Sequence, residues 1–174
     1  GTRQGRAWRV DTAWAALALL SGQDATWITS SARSRLRSSL RTKSANDVYI
    51  LSRDRAKTIR YRAIPEAVIR VDEYLIASGA AAMRDEATAA LFGLAGGGGY
   101  AEGYVMEGGA ATLAGSFGLV EDPQGNVTIH EADSEQVFVD DRTPIAAIAV
   151  DLMNSLATRE RSAGIRVLEE LLRG

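Results

Sequence analysis

The sequence of 174 residues contains no cysteine and a single histidine, His130. The absence of cysteine excludes disulfide bonds, thiol nucleophiles, iron–sulfur clusters and zinc sites built on cysteine. With one imidazole, a metal site made of several histidines is also excluded, and any Ser-His-Asp mechanism would have to use His130. No apolar run is long enough for a transmembrane helix. We therefore expect a cytoplasmic protein without membrane contact, without a cofactor and without a bound metal.

Lysine is also scarce, since only Lys43 and Lys57 are lysine among the twenty basic residues. A chain rich in alanine and arginine and poor in lysine is typical of a GC-rich bacterial genome. Residues 1–62 carry thirteen Lys and Arg against four Asp and Glu, which gives a charge of +9. Residues 63–174 carry seven against eighteen, which gives −11, so the net charge of −2 conceals two oppositely charged parts. This asymmetry predicts a polyanion-binding part joined to a part with another role.

The basic part is predicted to contain two helices and a hairpin. The first helix follows a cap at Asp11 or Thr12, and the second runs from about residue 30 to 41 with an apolar stripe at every fourth position. Residues 48–51 form a short apolar run, and residues 58–63 alternate between apolar and polar side chains. A charged connection separates these two segments, so we expect them to pair as a β-hairpin.

Ten basic side chains within residues 33–62 are the candidate nucleic-acid-binding residues. They are Arg33, Arg35, Arg37, Arg41, Lys43, Arg53, Arg55, Lys57, Arg60 and Arg62. A helix with an arginine face followed by a hairpin with a basic tip is the layout of a winged-helix-like reader, whose helix approaches a groove while the hairpin contacts phosphates. Counterion release would then make the affinity fall steeply with salt. Two alternatives stay open: the basic face docks on an acidic partner or on the acidic part of the chain, or it is simply solvated.

The fold class predicted for the whole chain is α+β. A small basic helix–helix–hairpin part, residues 1–64, is expected to pack on an α/β domain, residues 65–174, which has a small mixed sheet and two C-terminal helices. Strands are predicted at 68–71, 104–106 and 137–139, and a hairpin joins 119–120 to 126–131 around the turn Asp122–Gly125. Helices are predicted at about 80–92, 109–117, 144–155 and 158–172.

No catalytic site is predicted. Gly115-Ser116 invites comparison with nucleotidyltransferases, which place a Gly-Ser pair at a helix start and two carboxylates on a strand about ten residues later to hold two metal ions. Here that strand offers Asn126, Thr128 and His130, and neutral side chains cannot hold two magnesium ions. A degenerate nucleotidyltransferase-like domain with residual activity at Ser116 and His130 requires the hairpin to bring these two residues together. The run Gly96–Gly99 lacks the Gly-Lys-Ser/Thr ending of a phosphate loop, so we expect a flexible loop.

The acidic part also carries a family resemblance. The segments concerned are Ala77–Ala82, Glu102–Val105, Leu119–Val120, Gly125–Ile129, Ile148–Ser155 and Arg159–Gly164. Over about residues 65–174 this pattern resembles the C-terminal domain of the AbiEi-type antitoxins, which are bacterial transcriptional regulators of type IV toxin–antitoxin systems. In that family an N-terminal winged helix binds operator DNA, and the C-terminal domain contributes to antitoxin action against a nucleotidyltransferase toxin.

The resemblance implies a non-enzymatic, DNA-binding transcriptional regulator of antitoxin type. Its implied partners are double-stranded DNA and a cognate nucleotidyltransferase toxin, and a homodimer is a further possibility. The stretch Gly5–Val10 would suit the last strand of a wing whose helices lie upstream. In that case the basic segment after it is an additional DNA-contacting surface or a partner surface. The alternative from a different functional class is a protein-interaction module that docks an acidic partner or toxin without contacting DNA.

Overall fold

A computed structural model describes residues 6–174, and this part of the chain folds into α-helices and a five-stranded mixed sheet, as the predicted α+β class requires. The α-helices are α1 (Val10–Leu20), α2 (Ser30–Leu40), α3 (Ala45–Leu51), α4 (Pro65–Asp72), α5 (Glu86–Phe92), α6 (Gly109–Phe117), α7 (Ile145–Met153) and α8 (Thr158–Arg173). The strands are β1 (Lys57–Arg62), β2 (Ile76–Ala77), β3 (Ala101–Met106), β4 (Val120–Glu121) and β5 (Val127–Ala132). Two 3₁₀ helices cover Gly79–Arg84 and Val139–Asp141.

The chain divides into two compact units. Unit 1 combines the described residues up to Arg55 with Pro144–Gly174, and unit 2 is the continuous segment Ala56–Thr143. This division differs from the predicted domains 1–64 and 65–174. In unit 1, α7 packs against α1, and both C-terminal helices pack against α3. In unit 2, β1 is a full member of the sheet.

Unit 1 is built on two apolar helices. Helix α1 is buried from Ala13 to Ala18, and α7 is buried from Ala146 to Leu152. The indole Nε1 of Trp14 donates to the carbonyl oxygen of Arg55 at 3.0 Å, which connects α1 to the end of the α3 segment. Burial of these side chains stabilises the unit by about 25 cal/mol for each Å² of apolar surface removed from water.

Unit 2 is a sheet covered on one face by helices. The strand order is β2-β3-β5-β1-β4, with β3 and β5 parallel and the other pairs antiparallel. Tyr61, Val127 and Ile129 project from one face of the sheet and form a core with α4 and α6, to which Val71 and Leu113 contribute. Because side chains alternate along a strand, the neighbours of these residues project from the opposite face.

The predicted strand at residues 48–51 is wrong, because these residues form the last turns of α3. A four-residue apolar run is compatible with either a strand or a buried helix segment, and local capping decides between them. Ser44 begins the helix by forming a capping box with Asp47. The predicted hairpin with 58–63 is therefore absent. Three helices followed by β1 replace the helix–helix–hairpin order in this part of the chain.

Two other strand predictions are wrong. Residues 68–71 lie in α4, where Pro65 occupies the first turn and Ala67, Val68 and Val71 form its buried side. Proline fits the first turn of a helix because its missing N–H would have no partner there, so Pro65 begins an element instead of ending one. Residues 137–139 form no strand and lead into the second 3₁₀ helix, where Asp140 has a positive φ of 55°.

Both strands of the predicted hairpin 119–131 are present as β4 and β5, but they do not pair with each other. The turn is present, since the N–H of Gly125 donates to the carbonyl oxygen of Asp122 at 2.9 Å. However, β4 and β5 both pair with β1, which lies between them in the sheet.

The helices at 109–117, 144–155 and 158–172 and the loop at 96–99 are confirmed. Helix 80–92 is confirmed in part, as a 3₁₀ segment followed by α5. Of the predicted wing strand Gly5–Val10, Gly5 lies outside the described residues, the next four residues have no regular structure and Val10 begins α1. None of the helices within residues 6–174 is long and apolar enough to cross a membrane.

Candidate functional site

Helix α2 carries positive charge without any compensating acid. Its eleven residues include three arginines and five serines, and none is Asp or Glu. Thr29 begins the helix, since its Oγ1 accepts from the N–H of Ala32 at 3.1 Å. Only Leu36 and Leu40 are buried, so the helix is attached along one narrow side. The rest of its surface presents guanidinium and hydroxyl groups, which are common partners of phosphate oxygens.

Six of the ten predicted residues are exposed. They are Arg35, Arg37, Arg41, Arg53, Lys57 and Arg62, while Arg33, Lys43, Arg55 and Arg60 are half-buried. Among the described residues, no carboxylate forms an ion pair with Arg35, Arg37 or Arg41. Arg35 donates only to Ser31, at 3.1 Å, one turn earlier on the helix. In the described part of the chain, the exposed guanidinium groups of α2 and its C-cap therefore have no acidic partner that an incoming anion must displace.

The other arginines of the predicted set hold the structure together. Arg33 donates to the carbonyl oxygen of Ile28 at 2.7 Å and so braces the loop before α2. Arg55 forms a buried ion pair with Asp151 in unit 1. Arg62 contacts Asp122 at 2.7 Å, and this guanidinium is the main reason that the pKa of the Asp122 carboxyl is lowered.

The ten predicted residues are also divided between the units. Seven of them belong to unit 1, and Lys57, Arg60 and Arg62 belong to unit 2. Arg35, Arg37 and Arg41 lie on a single helix and its C-cap, where Arg37 and Arg41 are one turn apart and Arg35 is on a different side of the helix. Arg33 lies on the same helix, but its guanidinium is occupied by backbone carbonyl groups. The surface that fits the prediction is thus smaller than the sequence indicates, and we call Arg35, Arg37 and Arg41 the α2 basic surface.

The turn after α2 leads into a helix that the sequence analysis missed. Residues 41–44 join α2 to α3, and a turn of this length is typical of helix-turn-helix pairs. Asn46 is exposed in the first turn of α3, beside the α2 basic surface in sequence. The signal that could have found α3 is Ser44 three residues before Asp47, a serine–carboxylate capping box.

We expect Ser44→Ala to lower the free energy of unfolding by about 1 kcal/mol, because the Ser44 hydroxyl accepts from the N–H of Asp47 at 3.1 Å. Thermal unfolding at neutral pH measures this loss. The backbone N–H and the hydroxyl of Ser44 lower the pKa of Asp47 below its ordinary value of 3.8. A lowered folded-state pKa adds stability above the unfolded pKa, and this is lost as the pH falls through the folded value. The Ser44 hydroxyl supplies part of this effect, so the difference between Ser44→Ala and the wild type should shrink below about pH 4. A constant difference would show that the hydroxyl does not stabilise the ionised carboxylate of Asp47.

Three hydrogen-bonded polar side chains, with His130 in the middle, lie on the face of the unit 2 sheet opposite to α4 and α6. The Nδ1 atom of His130 lies 2.7 Å from Oγ1 of Thr58 on β1, and Nε2 lies 2.8 Å from Oε2 of Glu102 on β3. Because an ionised carboxylate only accepts, Nε2 carries a hydrogen in this arrangement. The ring also stacks on Tyr104, with centroids 4.8 Å apart. Gly79 makes room for the carboxylate, since a Cβ at this position would lie 2.2 Å from Oε1 of Glu102.

The order hydroxyl, imidazole, carboxylate is one in which histidine can accept a proton from a hydroxyl. The same two bonds also satisfy both ring nitrogens of a side chain that is only 3% exposed, which is what a buried histidine requires. Ser116 is not part of this arrangement. It lies on α6, which packs on the face that carries Ile129, whereas His130 projects from the other face. The proximity of Ser116 to His130 that a residual nucleotidyltransferase activity would require is therefore not present.

Asn126, which precedes β5, and Glu131 on β5 also have structural partners. Asn126 bonds to both backbone groups of Ala63, as acceptor and as donor, each at 2.9 Å. Glu131 accepts from the N–H groups of Gly108 and Ala110 at 2.9 and 3.1 Å, which caps the start of α6. Comparisons of the chain with protein-family models, with curated proteins and with solved structures find no match.

Proposed function

We propose that this protein binds double-stranded DNA through the α2 basic surface and acts as a non-enzymatic transcriptional regulator of antitoxin type. The observation that carries the proposal is that α2 presents arginine and serine side chains to solvent and has no carboxylate. Arginine and serine contacts to phosphate oxygens position a protein on a duplex. The four-residue turn and α3 then place Asn46 next to this surface in the chain, as a side chain able to contact a base edge.

Support for the non-enzymatic part comes from the partners of the polar side chains. His130 and Asn126, which lie where a nucleotidyltransferase would place its metal-binding carboxylates, are bonded to Glu102 and Thr58 and to the backbone of Ala63. Neither residue offers an ionised oxygen to a metal ion. The resemblance to the antitoxins adds a partner, a nucleotidyltransferase toxin, to the proposal.

We expect the protein to bind a labelled duplex with an affinity that falls steeply with salt. Three phosphate contacts from the α2 basic surface give a slope of about −3 in a plot of log K against log salt concentration. The variant Arg37→Ala/Arg41→Ala should bind more weakly to all duplexes and reduce the slope by about 2. Fluorescence anisotropy over a salt series measures both quantities.

The matched control is Arg159→Ala/Arg173→Ala, which removes two exposed arginines of α8 from the same unit. It should leave the slope unchanged. The proposal fails if the wild type does not bind at low salt, or if both double variants lose the same affinity.

The same double variant, Arg37→Ala/Arg41→Ala, separates DNA binding from docking on an acidic protein when its binding to DNA is compared with its co-purification. If the α2 basic surface serves only a protein partner, Arg37→Ala/Arg41→Ala abolishes co-purification with a co-expressed nucleotidyltransferase toxin and has no effect on DNA. If DNA is the ligand of this surface, the toxin complex survives the substitution. A gel-filtration measurement with each variant then also reports whether a homodimer is present.

A further inference from the structure

Two neighbouring cavities lie at the end of β3 in unit 2. The first has a volume of about 460 Å³ and the second about 340 Å³. They share three lining residues, Tyr74, Val105 and Met106. We call the surface that these two cavities line together the β3 groove.

The shared wall of the β3 groove is apolar. Val105 and Met106 end the strand, and the Tyr74 side of the groove is backed by Phe117, whose ring centroid lies 5.6 Å from that of Tyr74. Phe138 extends the apolar lining in the second cavity. Each cavity falls within the range of volumes, about 300–1,000 Å³, that is typical of small-molecule sites. The groove can therefore accept an apolar group of the size of an aromatic ring.

The charged residues of the β3 groove are all acidic. Glu107 lines the first cavity, Glu135 and Asp141 line the second, and all three side chains are exposed. No lysine or arginine lines either cavity. Within residues 6–174, none of these three carboxylates takes part in an ion pair. An apolar wall with uncompensated carboxylates at its rim attracts a cation and repels an anion.

We infer that the β3 groove binds a small organic cation, in which an ammonium group is attached to an apolar body. The ammonium group lies near Glu135 and Asp141, and the apolar body packs against Tyr74, Val105 and Met106. A neutral molecule of the same shape gains only the apolar contacts. This inference does not depend on the proposed DNA binding, because it concerns different residues and a ligand of opposite charge.

The test uses three probes of similar shape: 2-phenylethylammonium, 2-phenylethanol and 3-phenylpropionate. The protein has three methionines, so their methyl NMR signals report on separate places. Met106 lines both cavities, whereas Met83 is buried elsewhere in unit 2 and Met153 lies in unit 1. We expect the ammonium probe to shift the Met106 methyl signal and to bind about fivefold more tightly than the alcohol, while the carboxylate probe does not bind.

The variant Glu135→Gln/Asp141→Asn should lower the affinity for the ammonium probe to that for the alcohol and leave the alcohol unaffected. Asparagine suits position 141, where φ is 54°, because it adopts this region readily. Glu66→Gln, an exposed carboxylate outside the groove, is the matched control and should change neither affinity. The inference is overturned if the wild type binds the alcohol as tightly as the ammonium probe, or if Met106 does not respond. The wild-type comparison needs no variant, so a misfolded variant cannot leave the question open.

Discussion

Replacing Asp151 with alanine is expected to lower the free energy of unfolding by about 3–5 kcal/mol. Asp151 pairs with Arg55, and the two side chains are only 1% and 11% exposed. Removing the carboxylate leaves a guanidinium group in a place that water hardly reaches, and a buried charge without its partner is costly. All three tryptophans lie in unit 1, as this ion pair does, so urea unfolding followed by tryptophan fluorescence measures the loss directly.

Two further variants show whether burial is the cause. The double variant Arg55→Met/Asp151→Leu removes both charges, and we expect it to recover most of the stability because no lone charge remains. Glu170→Ala breaks the exposed pair of Arg166 and Glu170, whose N–O distance is 3.3 Å, and should cost less than about 0.5 kcal/mol. A loss for Asp151→Ala that is no larger than the loss for Glu170→Ala would show that the buried ion pair does not stabilise unit 1.

The second large effect is expected at Gly125, where alanine should destabilise the protein by about 3 kcal/mol. A Cβ atom on Gly125 would lie 2.0 Å from the carbonyl oxygen and 2.3 Å from the carbonyl carbon of Tyr61. These are backbone atoms of β1, which is held by β5, so they cannot rotate away as a side chain could. The clash must be relieved by moving the turn or the strand. Thermal unfolding followed by far-UV circular dichroism measures the change.

Gly115 provides a control with the opposite sign. It lies inside α6, and a Cβ atom there would meet nothing within 4 Å. Gly115→Ala should therefore raise stability by about 0.5–1 kcal/mol, because alanine loses less backbone entropy than glycine when a helix forms. If both substitutions destabilise the protein equally, the close approach of Tyr61 is not the reason that position 125 requires glycine.

The helices could be predicted where their ends carry local signals. Thr29 caps α2 and Pro144 precedes α7, and both helices lie close to their predicted positions. The strand predictions at 48–51 and 68–71 failed because short apolar runs do not distinguish a strand from a buried helix. In each case the deciding residue, Ser44 or Pro65, stands just before the run. These two residues identify the runs that follow them as helices.

The pairing of the strands could not be predicted in the same way. The turn at Asp122–Gly125 has the composition of a hairpin turn and does form, yet β5 pairs with β1, about seventy residues earlier in the chain. Nothing in the local sequence of the turn reports the position of β1.

The candidate site was predicted too broadly for a related reason. Spacing along α2 correctly indicates that Arg37 and Arg41 are exposed. Spacing cannot reveal that Arg55 meets Asp151 or that Arg62 meets Asp122, because both acids are far away in sequence. Asn46 was missed because it lies on a helix that was predicted to be part of a loop before a strand.

The discontinuity of unit 1 has a consequence for synthesis on the ribosome. Helices α1–α3 are made first, but α7 and α8, against which α1 and α3 pack, follow only after all of unit 2. The apolar side of α1 therefore lacks its partner α7 while about 125 further residues are synthesised, whereas the continuous unit 2 can form its own contacts as it emerges. Long separations of this kind slow folding and expose apolar surface to aggregation. A nascent chain halted near residue 143 should thus depend on a chaperone that covers α1, and release of the last two helices should end that dependence.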